Sequence, residues 1–173
     1  MNNSLTKVKV PCRLSYARIN EPYVGKNGEK KYSATCLISK DDVNTMAVVD
    51  AAIAEAVAEG VNKKWDGVTP EDLVVPVRDG DLMRPNDPAY KNMWFISATT
   101  TNKPILVDKN IKIINDRSKI YSGCMCNVML DFFAFGTTGL RGVAAELGNI
   151  QLVSAGDSLD GQSIVKKEFE VLQ

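Results

Sequence analysis

The chain has no histidine among its 173 residues, which removes Ser-His-Asp and Cys-His arrangements and the commonest general base. Its four cysteines, Cys12, Cys36, Cys124 and Cys126, show no C-x-x-C spacing, so they do not outline a zinc site. All four fall in strand-like runs, where a thiol reads as a reduced, small apolar core group. No apolar run reaches membrane-spanning length, and the start MNNSLTKVKVPCRLSY alternates where a signal peptide would be continuously apolar. A soluble, intracellular protein with no membrane partner is the expectation. Neither G-x-x-x-x-G-K-[ST] nor G-x-G-x-x-G occurs, so the sequence makes no case for a nucleotide or other cofactor.

Net charge is missing too, with 21 basic and 21 acidic residues, but the balance is uneven. Residues 1–40 carry eight basic and two acidic side chains, whereas residues 41–60 carry five acidic and none basic. A basic sheet entry beside an acidic helix offers a polyanion one side of the molecule, although ordinary solvated faces read the same way. The length and the 45% hydrophobic content suit one domain with a sizeable core.

Alternation from Lys7 to Ala17 predicts a half-buried strand. Val8, Val10, Cys12, Leu14 and Tyr16 point to the core, and Lys7, Lys9 and Arg13 lie on the other face. Turn chemistry at Asn20-Glu21-Pro22 and Val24 to Gly28 then leads into a second strand from Lys31 to Ser39. Ser39 is placed to cap a helix from about Lys40 to Glu59, with Asp42 in a capping-box position and Gly60 as the stop. Val43, Met46, Ile53 and Val57 form its packing stripe. Residues 62–90 form a long proline- and aspartate-rich excursion of the kind that is usually functional or partly disordered. Strands resume at 93–100, near 105–107 and 111–114, at 123–135, and at 140–147 and 150–153. Residues 155–173 are expected to be a flexible tail.

The run from Asp116 to Phe135 carries the strongest chemical signal. Its strand places Cys124, Cys126, Val128, Leu130 and Phe132 on one face and Asn127, Asp131, Phe133 and Phe135 on the other. Rings on a partly polar face suit base stacking, but they could equally pack under a loop or against a second subunit. Arg78-Asp79-Gly80-Asp81 is the one carboxylate cluster that could serve a metal-dependent nuclease, and the same letters make a turn. The loops Thr101 to Pro104 and Asp116 to Lys119 could hold phosphates or be solvated.

Together these features predict a mainly β protein with one long helix: an OB-fold, a five-stranded Greek-key barrel with loop insertions, over residues 1–154. The expected function is binding of single-stranded DNA with little sequence preference and without catalysis. Arg13, Arg18, Lys31, Arg78, Lys103 and Arg117 are the candidate phosphate contacts, and Tyr32, Phe95, Tyr121, Phe133 and Phe135 the candidate stacking rings. Phe95 is preferred to Trp94 because it shares parity with Ser97 and Thr99, whereas Trp94 aligns with Ile96 and Ala98. The alternatives are a virion or interaction protein with an aromatic subunit interface, and a nuclease built on Asp79 and Asp81. Self-association, as a homodimer or a cooperative assembly on DNA, is also expected, because an open OB-fold leaves strand edges to cover.

The ordered segments VPCRLSYARINEPY, KKYSATCLISKDD, PVRDGD, DPAY, Lys103 to Asp108 as K-P-x-x-V-D, DRSKIYSGC and GNIQLV resemble a phage single-stranded-DNA-binding protein family first catalogued as a domain of unknown function. The resemblance runs from Lys7 to Val153 and extends distantly to the OB-fold DNA-binding protein of T7-like phages. It implies an OB-fold that coats single strands in phage DNA replication or recombination, in the cytoplasm of the infected bacterial host, with replication proteins as further partners through the tail. Such proteins often end in a strongly acidic tail closing on Phe. Here Lys166 and Lys167 interrupt the acidic residues and the chain runs past Phe169 to Gln173, which puts tail-mediated recruitment in question.

Overall fold

A computed structural model describes residues 4–136, 139–159 and 172. In chain order the elements are β1 (Lys7–Val24), β2 (Lys30–Ser39), α1 (Val43–Lys63), β3 (Val77–Asp79), α2 (Gly80–Met83), β4 (Met93–Thr100), β5 (Leu106–Val107), β6 (Met125–Phe135) and β7 (Gly142–Ser154), with short 3-10 turns at Pro88–Tyr90 and Arg117–Lys119. Strand order is β3-β4-β2-β1-β6-β7-β5, and a parallel β4–β7 pairing closes β1, β2, β4, β6 and β7 into the five-stranded barrel of an OB-fold.

Period-2 geometry builds the barrel's interior as the sequence predicts. Cys126, Val128, Leu130, Phe132 and Ala134 of β6 are buried, alternating with Asn127, Asp131 and Phe133 outside. From β1, Val10, Cys12 and Leu14 join them. The four cysteines are free and buried, and burial, helped by neighbouring thiols, pushes the Cys126 thiol up to about 12.

Several boundaries differ from the sequence reading, each for a local reason. β1 does not stop at Ala17 but continues through the Asn20-Glu21-Pro22 segment, because register shifts between Ser15 and Arg18 and between Arg18 and Tyr23 absorb the irregular residues. The first shift also turns Tyr16 outward: it has φ +47° and is 55% exposed, while Ser15 is buried. Asp42, not Ser39, caps α1, accepting from the Thr45 amide at 3.2 Å and from the Thr45 hydroxyl at 2.6 Å. Those bonds hold its carboxyl below the usual range. Val43 therefore lies at the exposed start of the helix; Met46, Ile53 and Val57 of the predicted stripe pack partly buried against the core, flanking the fully buried line of Thr45, Val49, Ala52, Ala56 and Gly60. Gly60 is no stop signal. A Cβ there would lie 2.6 Å from the Trp65 ring and 2.7 Å from Ala134, so the glycine allows the helix to press on the barrel. The Trp65 indole then donates to Phe135 O at 3.3 Å and Gly136 O at 3.0 Å.

The proposed pair of strands at 140–147 and 150–153 is the single strand β7, with a register shift opposite Met129. Residues 111–114 contribute only an isolated bridge, Val107 to Ile113. The tail is not separate from its beginning, since residues 155–159 lie against the barrel, where the Leu159 amide donates to Ser122 O at 2.9 Å. The rest of the expected tail, apart from Leu172, falls outside the described residues. Among the described residues no helix is long and apolar enough to cross a membrane.

Candidate nucleic-acid interface

The outer face of β1, β2 and β4 is organised in cross-strand rows. Arg18, Ser33 and Thr99 form one row and Ser15, Thr35 and Ser97 the next. Arg13, Leu37 and Phe95 form a third, which Arg78 of β3 extends. Ser33, Ser97 and Thr99 present small hydroxyl side chains outward over the buried Ser15 and Thr35, with Thr35 Oγ1 and Ser97 Oγ 3.2 Å apart. Such a floor lets a ligand backbone approach the sheet closely and offers it hydrogen bonds.

Two cation–aromatic pairs stand at this floor. The Arg18 guanidinium lies 5.5 Å from the Tyr23 ring centroid, and Tyr23 is 55% exposed. The Arg84 guanidinium lies 5.2 Å from the Tyr16 ring and 5.5 Å from the Tyr90 ring, and its Nη1 donates to the Tyr16 hydroxyl at 3.2 Å. A cleft of about 240 Å³ opens beside Tyr16, lined by Ser15, Asp87, Ala89, Ser122 and Leu159. Cations next to exposed ring faces provide phosphate attraction and base stacking in one place.

The 80–92 excursion is a folded arm that holds Arg84 over Tyr16. At its base Lys40 Nζ lies 2.6 Å from Asp79 Oδ1 and 2.7 Å from Asp81 Oδ2. The ammonium holds both carboxyls below the usual range, and they in turn raise Lys40. Asp79 also accepts from the Asp81 amide, and Asp81 from the Asn92 amide. The Asp79-Gly80-Asp81 cluster is thus the arm's anchor, and among the described residues no group is arranged to hold a metal ion. Gly80 is required there, because a Cβ would lie 2.3 Å from Tyr90 O.

The sequence-predicted residues divide into sets. Arg18, Lys31, Lys103 and Arg117 gather at the far end of β1. Lys31 pairs with Tyr23, and Arg117 ties Ile19 O (2.6 Å), Asn20 Oδ1 (3.0 Å) and Pro104 O (3.0 Å) together, which holds the exposed Lys103 loop beside Ile19 and Asn20 of β1. Arg117 is thereby a clamp with its Nε and Nη2 donors committed. Tyr32 shares the inward parity of Ala34 and Cys36 and is half-buried opposite Thr100. Arg78 is exposed at the edge of the third row. Arg13 is half-buried, donating to Gly123 O at 3.2 Å and Asp157 O at 2.8 Å. Tyr121 donates to Gly156 O at 2.8 Å, and desolvation raises its phenol.

Phe95 does not stand on the surface. It is 5% exposed, packed with Leu37 and meeting the Tyr90 ring edge to face at 5.2 Å and 79°. The arm covers the outer face at this point, which parity could not reveal. Trp94 is correspondingly not a core residue but half-buried, with Lys40 Nζ 4.8 Å from its ring. Phe133 and Phe135 lie on the outer wall of β6, opposite Ala144 and Gly142 of β7, with Asp131 and Glu146 paired next to them. On one side β1 stands between that wall and β2, and on the other β7 stands between it and β4, where Glu146 pairs with Thr99, so the acidic Asp131 and Glu146 lie between the two rings and the hydroxyl floor.

Tyr16, Tyr23 and Arg84 were not among the sequence candidates. Alternation assigned Tyr16 to the core, Tyr23 lay next to an apparent turn, and the only signal for Arg84 was the length of its excursion.

A closed OB barrel bearing a cationic, ring-edged groove defines the class of single-stranded nucleic-acid-binding folds. The family model for the Enterobacter phage Enc34 ssDNA-binding protein matches residues 6–173, and the chain belongs to that family. It is similar to the single-stranded DNA-binding protein from bacteriophage Enc34 in complex with ssDNA, at 22% identity and TM-score 0.78 over 90% of each chain. The C-terminal truncation of that protein gives 22% identity and TM-score 0.75 over 89% of each chain. The gp2.5 single-stranded DNA binding protein of bacteriophage T7 gives 16% identity and TM-score 0.59, covering 90% of this chain and 96% of that one. Among curated proteins none matches.

Proposed function

We propose that this protein binds single-stranded DNA with little sequence preference, coating and protecting it during phage DNA replication or recombination in the cytoplasm of the infected cell. The observation that carries the reading is the pair of exposed arginine–tyrosine stacks, Arg18 with Tyr23 and Arg84 with Tyr16, set at a floor of Ser33, Thr35, Ser97 and Thr99. Family membership supports it. Arg18, Lys31, Arg78 and Lys103 supply phosphate contacts, and Tyr16 and Tyr23 stack bases. Nothing in this arrangement distinguishes one base from another, because rings and cations engage every nucleotide alike. The role is binding rather than catalysis, with the Asp79 and Asp81 carboxylates engaged by Lys40.

Electrophoretic shift with oligo-dT, duplex DNA and RNA across a salt series tests the proposal. Oligo-dT should bind preferentially, with log affinity falling against log salt at a slope of about −3 if roughly four phosphates are neutralised. Salt-insensitive affinity, or cleavage of the labelled strand on adding magnesium or manganese, would overturn it.

A further inference from the structure

The cleft beside Tyr16 carries a carboxylate that phosphate attraction and ring stacking do not account for. It measures about 240 Å³, below the roughly 300–1,000 Å³ of sites for drug-sized ligands, and so suits one planar base. Tyr16 lines it in a strained conformation, since its φ of +47° lies in the left-handed region where a bulky side chain must be held by its surroundings. Ser122 does the holding. Its Oγ accepts from the Ala17 amide at 3.0 Å, and the same hydroxyl, which also lines the cleft, has a proton of its own to donate. Ala89 and Leu159 supply apolar wall. Asp87, half-buried at the head of the Pro88–Tyr90 turn, completes the lining. Its Oδ1 accepts from the Ala89 amide at 3.1 Å, a cap that an uncharged Asn or Ser makes equally well. A carboxylate offers about four lone-pair sites, so both oxygens keep acceptor capacity for a ligand, and among the described residues no ion pair engages Asp87. Negative charge beside the Arg84–Tyr16 stack repels a phosphate backbone. Such a local conflict marks a functional position, here one whose ligand donates hydrogen bonds.

We propose that this cleft takes a single guanine, stacked on Tyr16 with its Watson–Crick edge against Asp87. A carboxylate has only acceptors to offer, so the base edge that suits it carries adjacent donors. Guanine alone presents two side by side, N1–H and N2–H, which match the two carboxylate oxygens as the fork of a guanidinium does. Adenine and cytosine each bring one amino donor next to an unprotonated ring nitrogen, and thymine brings one N–H between two carbonyl oxygens. In all three a lone pair faces the carboxylate and repels it. The Ser122 hydroxyl is the donor available to guanine O6. Two charge-assisted bonds to the base offset the repulsion that Asp87 exerts on the backbone. This inference rests on the DNA-binding reading and adds to it one base-selective position, read on the edge of an unpaired base, in a footprint that otherwise engages every nucleotide alike.

Fluorescence anisotropy with the full-length protein, at fixed salt and one protein per strand, tests the idea on short oligo-dT carrying one central replacement. Deoxyguanosine should tighten binding about five- to tenfold over unbroken oligo-dT, because bonds to a charged acceptor are among the stronger ones. Deoxyinosine, which keeps N1–H but lacks the N2 amino group, should fall between the two. Deoxyadenosine, a purine that stacks without the donor pair, should stay within about twofold of thymidine. Asp87→Asn keeps an oxygen for the Ala89 amide but turns the other carboxylate oxygen into a donor, so the ratio of guanine to thymine affinity should fall to about one. That ratio is the readout, since a loosened turn or a displaced Tyr16 moves every oligonucleotide together. Three results would overturn the proposal: equal affinity for the guanine and thymine strands, an adenine strand that binds as tightly as the guanine one, or a guanine preference that survives Asp87→Asn. The first two need no substitution in the protein, and each leaves the DNA-binding reading standing. Failure of every oligonucleotide to bind would sink both readings.

Discussion

Ser15 and Tyr90 share a buried hydrogen bond of 2.8 Å that joins the irregular middle of β1 to the arm running over it. Tyr90→Phe keeps the ring against Phe95 but leaves the Ser15 hydroxyl buried without that partner. The expected cost is about 1–2 kcal/mol, or roughly 3–6 °C in Tm for a domain of this size. Calorimetry would show it, and an unchanged Tm would mean that the bond contributes nothing net.

Tyr16→Ala should weaken oligo-dT binding by about one decade, since a stacked ring contributes roughly 1–3 kcal/mol. Tyr16→Phe, which loses the Arg84 bond but keeps the ring, should lie within about threefold of the parent if stacking is the dominant effect. Fluorescence anisotropy at fixed salt reads both. Equal losses in the two variants would assign the effect to the hydroxyl instead.

Phe95 and Phe133 make opposite predictions. Phe95→Ala empties a packed site between the arm and the sheet and should destabilise the fold by about 3–4 kcal/mol. Phe133→Ala should cost much less in stability and, with Asp131 and Glu146 beside it, should leave oligo-dT affinity nearly unchanged. A large affinity loss for Phe133→Ala in a well-folded variant would extend the interface onto the β6 wall.

The arm's anchor should respond to pH in a defined direction. Asp79 and Asp81 are held below the usual range by Lys40, so their contribution is complete above about pH 3.9, the ordinary Asp value, and is lost as pH falls through their lowered values. Lys40 is raised, so its share persists below about pH 10.4 and disappears only as pH rises through its raised value. The Asn92 amide, which donates to Asp81 at 3.0 Å, reports on the anchor by NMR. Its resonance should be flat from about pH 5 to 9 and move on acidification; a titration near neutrality would contradict this account.

Much of the barrel was legible from alternation alone, because Val10, Cys12 and Leu14 in β1 and Cys126 to Ala134 in β6 follow an unbroken period of two. The helix was legible from its alanine-rich stripe, but its cap was not, since Ser39 and Asp42 both offer an oxygen and only the path of the chain selects Asp42. The interface was harder to read because it forms where periodicity fails. One register shift moves Tyr16 from core to surface, and an arm from residues 80–92 buries Phe95. Neither event leaves a local mark, as each depends on segments about 75 residues apart in the chain meeting at Ser15 and Tyr90.

Gly123 and Gly156 face each other with no side chain between them, and a Cβ on either would lie 2.1 Å from a backbone oxygen of the other's segment. The chain therefore leaves the barrel on a path fixed beside Arg13 and Leu37. Lys7, at the start of β1, pairs with Asp131 on the β6 side. A fluorophore or fusion partner attached after residue 159 would report on, or obstruct, the hydroxyl floor, whereas the same cargo ahead of Lys7 would ride on a different side of the barrel.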